Sequence, residues 1–419
     1  MGRVASMPTP NIWLRRLKRF YWIIINGGLL YMTISSSYIL LLSYLNNPLT
    51  FSIDTSYLHW NTTFPAVSLC QVLNDETMAD ILEQEIGSDR NYKLDNVMSD
   101  IAFYGGTCFS CEDCTEGRLR CPTHFSSIVE KYRFGCSELI SDCFWQNDPF
   151  DCCQLFLPLQ TEFGECYSIN SQNSRQANKE KLVNNRKTGP GVLRFKVKED
   201  LQIYLHDEHA VPFAYTDGTL KETVLWGTNK EIIFKIIGME NNANVQDIPI
   251  SRRDCRFPWE ILNESTQLYD SYSYSSCGVE CFMAAQIKFC NCTHHLMPVL
   301  KHDQLPINIC SYHGLTCLTE NSVKIAKQRK QCQCSSSCLE PEYLVIHSSE
   351  SEVGSQQDQV SIRMLNLPEI KFVRNVAKTN IDIFISLGGL VGLFFGASLL
   401  SIIYVVTCII RYCEIIRFQ

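Results

Sequence analysis

The chain has 419 residues, 22 of them cysteine, a formal net charge of −7 and a mean hydropathy close to zero. These averages conceal two stretches without a charged side chain, Phe20 to Leu45 and Ile383 to Ile410, on either side of 337 residues (46–382) of polar, soluble-looking sequence. That pattern excludes a cytosolic enzyme, a disordered chain and a multi-pass transporter, and the absence of a basic stripe disfavours nucleic acid as a partner.

Arg3, Arg15, Arg16, Lys18 and Arg19 precede the first apolar stretch, and residues 1–21 contain no acid. A helix needs about 20 apolar residues to cross a bilayer, and lysine and arginine mark the cytoplasmic side. Residues 1–19 are therefore expected inside the cell and 20–45 in the membrane. The rival is a cleaved signal peptide. Its basic front fits, but 26 apolar residues exceed a signal core of ~7–15, and no small-residue cleavage site follows.

The block 46–382 holds 20 of the 22 cysteines, all nine histidines, and 43 acidic against 30 basic residues. Its three N-x-S/T sequons, at Asn61, Asn263 and Asn291, are candidate glycosylation sites. Cysteine in this number and position suits disulfides in an exported domain. The acidic excess fits either a cation-concentrating vestibule or an ordinary solvated surface.

Along this block, Asn74 or Asp75 caps a predicted helix over 75–86 whose apolar face is Met78, Ile81, Leu82 and Ile86. Ile128, Val129, Tyr132, Cys136, Leu139, Ile140 and Cys143 read as a second helical stripe. Residues 170–190 are polar and end in Gly-Pro, so they are expected to be the most flexible stretch. From 192 to 206 the alternation of Leu193, Phe195, Val197, Leu201, Ile203 and Leu205 with polar neighbours predicts strand, and residues 231–239 predict a more buried strand. The mixture implies an α+β domain.

The cysteines fall into two groups of ten, Cys70 to Cys166 and Cys255 to Cys338. Cys108, Cys111 and Cys114 have the spacing of a metal site, and His294 and His295 follow Cys292. Outside the cell such spacing is read as disulfides, and no metal or other cofactor is expected.

The second apolar stretch has 28 residues, about 42 Å if wholly helical, which leaves room for tilt or a break. Gly388, Gly392 and Gly396 lie four apart on one face, next to Gly389, and Ser386, Ser398 and Ser401 add hydroxyls. By itself this fits equally a small-residue packing seam and a conducting pore. Arg411 and Arg417 against Glu414 place residues 411–419 inside.

"FPAVSLC" (64–70), "GECYSIN" (164–170), the block Cys277–Cys338 and "GGLVGLFFGASLLS" (388–401), in that order between two spans, resemble the degenerin/epithelial sodium channel/acid-sensing channel superfamily. "CFWQNDPFDCCQLFLPLQTEFGECYSIN" is most similar to the insect pickpocket branch. The resemblance covers about residues 20–412 and implies a trimeric membrane protein with two transmembrane helices and a large disulfide-rich α+β ectodomain. Finger (75–145) and thumb helical lobes would surround a palm built from 192–206 and 231–239. It implies the pairs Cys70–Cys166, Cys255–Cys338, Cys277–Cys334, Cys281–Cys332, Cys290–Cys317 and Cys292–Cys310. Cys143 would pair with Cys152 or Cys153, while Cys108, Cys111, Cys114, Cys121 and Cys136 stay unassigned. Two antiparallel helices clamped side to side would form the thumb.

For the second span, 383–410, the resemblance implies a pore. Gly396-Ala397-Ser398 would be the selectivity filter, and Ile385, Ser386, Gly388, Gly389, Gly392, Ser401 and Tyr404 would line the path or gate. Backbone carbonyls and hydroxyls suit a small hard cation. The implied function is a plasma-membrane sodium channel subunit of the amiloride-sensitive type, both termini cytoplasmic, with sodium, the bilayer and sister subunits as partners in a homo- or heterotrimer.

Two departures are present. Tyr404 stands where many relatives carry an acid, and a His-Gly pair that relatives carry before the first span is absent from residues 1–21. A short form or a non-conducting modulatory subunit is the alternative they raise; a single-pass receptor is the third reading and requires cleavage near residue 45. No phosphate loop, nucleophile elbow or metalloprotease helix occurs, so no enzyme activity is expected. The nine histidines make proton sensing conceivable, against the plainer reading of scattered core and surface side chains. No residue selects among force, osmolarity, protons, peptide and small ligands as the stimulus.

Overall fold

The computed structural model describes residues 12–56, 59–86, 91–175, 181–261, 267–299, 308–352, 359–396 and 399–417. The chain forms two compact units, one of residues 52–241 and 254–373, the other of residues 1–51, 242–253 and 374–419.

The larger unit is built on two sheets. In one, the 14-residue strand Thr228–Asn241 pairs antiparallel with Glu342–Glu352 and parallel with Gln359–Met364. Val192–Val197, Ile140–Trp145 and Asp148–Phe150 follow in antiparallel order. The period-two pattern explains the register. Leu193 and Phe195 face Ile362 and Val360 across the ladder, and all four are fully buried with Phe234. The second sheet runs Lys221–Val224, Leu201–His206, Ala66–Gln71, Gly164–Ile169, Leu157–Thr161. Every residue of Ala66–Gln71 is buried, as befits a strand covered on both faces.

The run 192–206 is thus two strands in two different sheets, where the alternation predicts one register. Charged Lys198, Glu199 and Asp200 turn the chain between them. The Asp200 carboxylate accepts the Trp226 amide (2.7 Å), its carbonyl accepts the Val72 amide (3.2 Å), and Glu199 accepts the Thr77 hydroxyl (3.1 Å). Leu201–His206 consequently leaves the sheet that holds Val192–Val197 and Thr228–Asn241.

Asp75–Ile86 is helical, with the Asn74 Oδ1 accepting from the amides of Glu76 and Thr77 (3.0 and 3.1 Å), and it buries Met78 and Leu82. These share a core with Ile101 of the helix Tyr92–Ala102 and Ile128 of Phe125–Tyr132. The expected stripe from Ile128 to Cys143 is not one helix. It stops at Tyr132, resumes for the four residues Cys136–Leu139 and becomes strand at Ile140. Gly135 starts the short piece through a hydrogen bond from its amide to the Glu138 carboxylate (2.9 Å). Disulfides Cys136–Cys153 and Cys143–Cys152, rather than a helical face, bury those sulfurs.

Within the stretch 170–190, expected to be the most flexible, residues 181–190 carry local structure. Asn170 donates to the Phe64 carbonyl (2.9 Å) and accepts the Leu182 amide (2.9 Å), and Val183–Asn184 pairs with Thr62–Thr63. Residues 176–180 of that stretch lie outside the described residues.

The helix Tyr274–Cys290 begins with a capping box at Ser273 and Ser276. Its partner in the expected antiparallel pair is two helices, Tyr312–Glu320 and Ser322–Lys330, divided at Asn321, whose side-chain amide bonds the Cys317 carbonyl (3.0 Å) instead of continuing the turn. Four disulfides fix this lobe: Cys277–Cys334, Cys281–Cys332, Cys290–Cys317 and Cys292–Cys310. Cys255–Cys338, Cys70–Cys166, Cys108–Cys111 and Cys114–Cys121 complete ten bonds among the described residues.

The smaller unit contains the helix Ile12–Asn46, which packs along Asn380–Phe395, and the helix Leu399–Arg417. Within Ile12–Asn46, Arg15–Asn46 is long and apolar enough to cross a membrane.

Candidate functional site

The apolar C-terminal segment is built from its ends. Thr379 caps the helix Asn380–Phe395: its Oγ1 accepts the Asp382 amide (3.2 Å), while its own amide and hydroxyl donate to the Asp382 carboxylate (2.9 and 2.8 Å). The T-x-x-D spelling before an apolar run is the sequence signature of such a cap. The Tyr44 hydroxyl, near the end of the N-terminal helix, donates to the Asn380 side chain. Arg252 lies over the Tyr44 ring (4.5 Å) and donates to the Tyr44 carbonyl (2.8 Å). Within the smaller unit Arg252 thus holds Tyr44, and Tyr44 holds the first residue of the helix Asn380–Phe395. Arg252, Tyr44 and Asn380 escaped sequence reasoning, because contacts between residues 208 and 336 positions apart leave no local pattern.

The helix Asn380–Phe395 ends at Gly396, which takes the left-handed conformation (φ 62°), and its amide closes the last turn on the Gly392 carbonyl (2.9 Å). Glycine adopts this conformation without the steric cost a Cβ would bring. Helix resumes at Leu399. Of the expected filter, Gly396 therefore sits at a helix break inside an apolar segment, while Ala397 and Ser398 lie outside the described residues. Ile385, Gly388 and Gly389 are exposed on the first helix, and Ser386 and Gly392 are half-buried. A Cβ added at Gly388 or Gly389 would meet nothing within 4 Å. Packing within one chain therefore does not require these glycines. Ser401 and Tyr404 are exposed on the second helix.

In the larger unit, Cys108 and Cys111 bond each other and Cys114 bonds Cys121, and no group of potential metal ligands occurs among the described residues. Asn61 and Asn291 are exposed, Asn291 closing the helix Tyr274–Cys290 in the left-handed conformation; Asn263 lies outside the described residues. Burial holds His206 and His295 down to about 4 and His294 to about 3, so these rings are neutral at neutral pH.

A family model described as "Amiloride-sensitive sodium channel" matches residues 9–407. The chain belongs to this family. Members of the amiloride-sensitive sodium channel family are ion channels of the plasma membrane, not enzymes, and the chain shares their disulfide-rich, β-rich ectodomain and N-terminal apolar helix. Its curated relatives are insect Nach and pickpocket proteins and degenerin-type channels. It is 27% identical to "Sodium channel protein Nach" of Drosophila virilis, covering 68% of this chain and 79% of that one. It is 23% identical to "Pickpocket protein 19" of Drosophila melanogaster (66% and 61% covered) and 24% identical to the human "Bile acid-sensitive ion channel" (93% and 80%). A solved "proton-activated chloride channel" aligns with 93% of this chain and 98% of its own at 6% identity and a TM-score of 0.29.

Proposed function

We propose that the chain is a subunit of a trimeric, amiloride-sensitive sodium channel of the plasma membrane. Residues 20–45 and 383–410 cross the bilayer, both termini are cytoplasmic, and 46–382 is the extracellular sensor. The observation that carries this reading is the helix break at Gly396 in an apolar segment of a family member. Exposed backbone at membrane depth is tolerable where it lines water, and a glycine-opened helix offers carbonyls to a dehydrating cation. Gly396-Ala397-Ser398 forms the filter, and Ile385, Ser386, Gly388, Gly389, Gly392, Ser401 and Tyr404 line the path. Gly388 and Gly389, open on this chain, let neighbouring copies approach closely. Sodium as the permeant ion is supported by the relatives named as sodium channel proteins. Expression in oocytes tests the proposal: inward current should vanish when a large organic cation replaces external sodium, and amiloride should block it. No current, either alone or with co-expressed relatives, would overturn it.

Tyr404, exposed on the second helix of the segment, favours a second reading, a non-conducting modulatory subunit. An acid near the inner mouth concentrates cations, and tyrosine supplies no charge. On this reading Tyr404→Glu creates current in a chain that is silent by itself; robust current from the native chain alone rejects it.

A further inference from the structure

The helix Asn380–Phe395 has two unlike sides. Toward the helix Ile12–Asn46, along which it packs, Ile383 is buried and Leu387, Leu390 and Phe394 are half-buried. On the other side Asp382, Ile385, Gly389, Gly392 and Gly396 recur every three or four residues, and all but the half-buried Gly392 are exposed. Residues at that spacing form one stripe along a helix. Asp382 heads the stripe, about 21 Å along the axis from Gly396 at ~1.5 Å per residue.

No other acid follows Asp382 until Glu414. Its side chain is exposed and, among the described residues, takes part in no ion pair. Lys378, the nearest cation in sequence, lines the recess that holds Tyr44, Asp247 and Arg252. The Thr379 amide (2.9 Å) and hydroxyl (2.8 Å) donate to the Asp382 carboxylate. In that order they hold its carboxyl below the ordinary aspartate range, so the group is ionised at neutral pH. A cap at this position does not require a charge. Ser276 fills the same place in the box that opens the helix Tyr274–Cys290, its hydroxyl accepting the Ser273 amide (2.8 Å). The negative charge of Asp382 is therefore more than the cap needs.

We propose that Asp382, one from each subunit, forms a ring of fixed negative charge at the outer mouth of the pore and concentrates sodium ahead of Gly396. This rests on the channel reading above, in which the glycine stripe lines the path. A fixed charge acts over a Debye length, roughly 30 Å at 0.01 M salt and roughly 3 Å at 1 M. The ring therefore matters most when sodium is dilute. It draws in cations and repels anions from a distance, which the uncharged oxygens at Gly396-Ala397-Ser398 do not.

The test expresses the full chain, with whichever relatives current requires, and compares inward current in about 10 mM and about 1 M external sodium within single outside-out patches. The ratio of the two currents is independent of channel number. Asp382→Asn keeps an oxygen for the Thr379 donors and should lower the dilute-to-concentrated ratio at least about twofold, while Asp382→Glu should leave it unchanged. On Asp382→Cys, a thiol reagent that adds a sulfonate should raise the ratio and one that adds a trimethylammonium should lower it. Both reagents act on the folded channel, so this arm decides the matter if Asp382→Asn fails to reach the surface. An unaltered ratio in Asp382→Asn, or no shift or a shift in the same direction with the two reagents, would overturn the proposal and leave the channel reading standing. No current from the native chain, alone or with relatives, would overturn both.

Discussion

Arg329 Nη2 lies 2.9 Å from Glu162 Oε1, and both side chains are almost wholly buried. The guanidinium is also enclosed by Phe282 (4.4 Å), Tyr215 (4.7 Å) and Phe213 (5.8 Å). Glu162 additionally accepts the Ala214 amide. The pair therefore fastens the helix Ser322–Lys330 to the turn between Leu157–Thr161 and Gly164–Ile169. Removing one partner strands the other charge in a low-dielectric site, which costs about 3–5 kcal/mol. Glu162→Gln and Arg329→Met should each lower the melting temperature strongly, and Glu162→Leu combined with Arg329→Met should recover much of the loss. A double variant no better than the worse single one would reject the pair as a unit.

Gly314 faces the Cys292–Cys310 bond, where an added Cβ would stand 2.7 Å from Cys292 Sγ and 2.8 Å from Cys310 Cβ. Gly314→Ala should destabilise by about 1–3 kcal/mol through overpacking. Thiol labelling under non-reducing conditions should then show that pair partly unformed.

The Nε2 of His206 lies 2.7 Å from Ser68 Oγ and its Nδ1 lies 2.8 Å from the Asp207 carbonyl, and the side chain is buried. Its pKa falls from 6.5 to about 4, chiefly by desolvation. Between pH 6.5 and 4 the unfolded chain binds a proton at this site that the folded chain does not, so its stability contribution is complete above 6.5 and declines as pH falls towards 4, by at most about 1.4 kcal/mol per pH unit. Glu280, raised to about 7 by burial, acts in the opposite sense between 4.5 and 7. His206→Gln should therefore flatten the acid limb of a melting-temperature profile, whereas Glu280→Gln should steepen it.

Asn291 is exposed, yet Thr293 of its sequon is buried beside Cys292. An acceptor tripeptide in this state cannot enter a transferase extended. A glycan at Asn291 must therefore be added before the lobe closes. Asn61→Gln and Asn291→Gln should each remove one glycosidase-sensitive step in gel mobility, and slowing disulfide formation should raise occupancy at Asn291 more than at Asn61.

Tyr44 receives Arg252 on its ring and its carbonyl while its hydroxyl holds Asn380. Under the channel reading, Tyr44→Leu and Arg252→Gln should alter open probability at unchanged surface expression, as measured by current recording with surface biotinylation. Unaltered gating in both would remove this contact from the path of coupling.

Local features were legible in the sequence. Asn74 as a cap and the alternation of Leu193, Phe195 and Val197 are each written in a few consecutive residues, whereas the place of Gly396 in the second apolar stretch was implied only by the family resemblance. What was illegible was partnership. Alternation states which face is buried but not which strand lies alongside, so the transfer of Leu201–His206 to another sheet could not be read. The stripe from Ile128 to Cys143 misled because Cys136 and Cys143 are buried by covalent bonds rather than by a helix face. Glu342–Glu352, rich in serine and glutamate, carries no apolar alternation to announce it. Arg133 and Gly164 meet only in the fold, and neither spells a motif.

The ten disulfides have an order in time as well as in space. Taken along the chain, no two of them cross: Cys292–Cys310 lies inside Cys290–Cys317, inside Cys281–Cys332, inside Cys277–Cys334, inside Cys255–Cys338. Likewise Cys70–Cys166 encloses Cys108–Cys111, Cys114–Cys121 and Cys136–Cys153, the last enclosing Cys143–Cys152. For a chain that emerges N-terminus first, the second cysteine of each nested pair arrives just after the pair inside it is complete. Each closure shortens the loop the next must close. The connectivity can be laid down as a zipper during translocation, every bond formed once and none reopened to let another through.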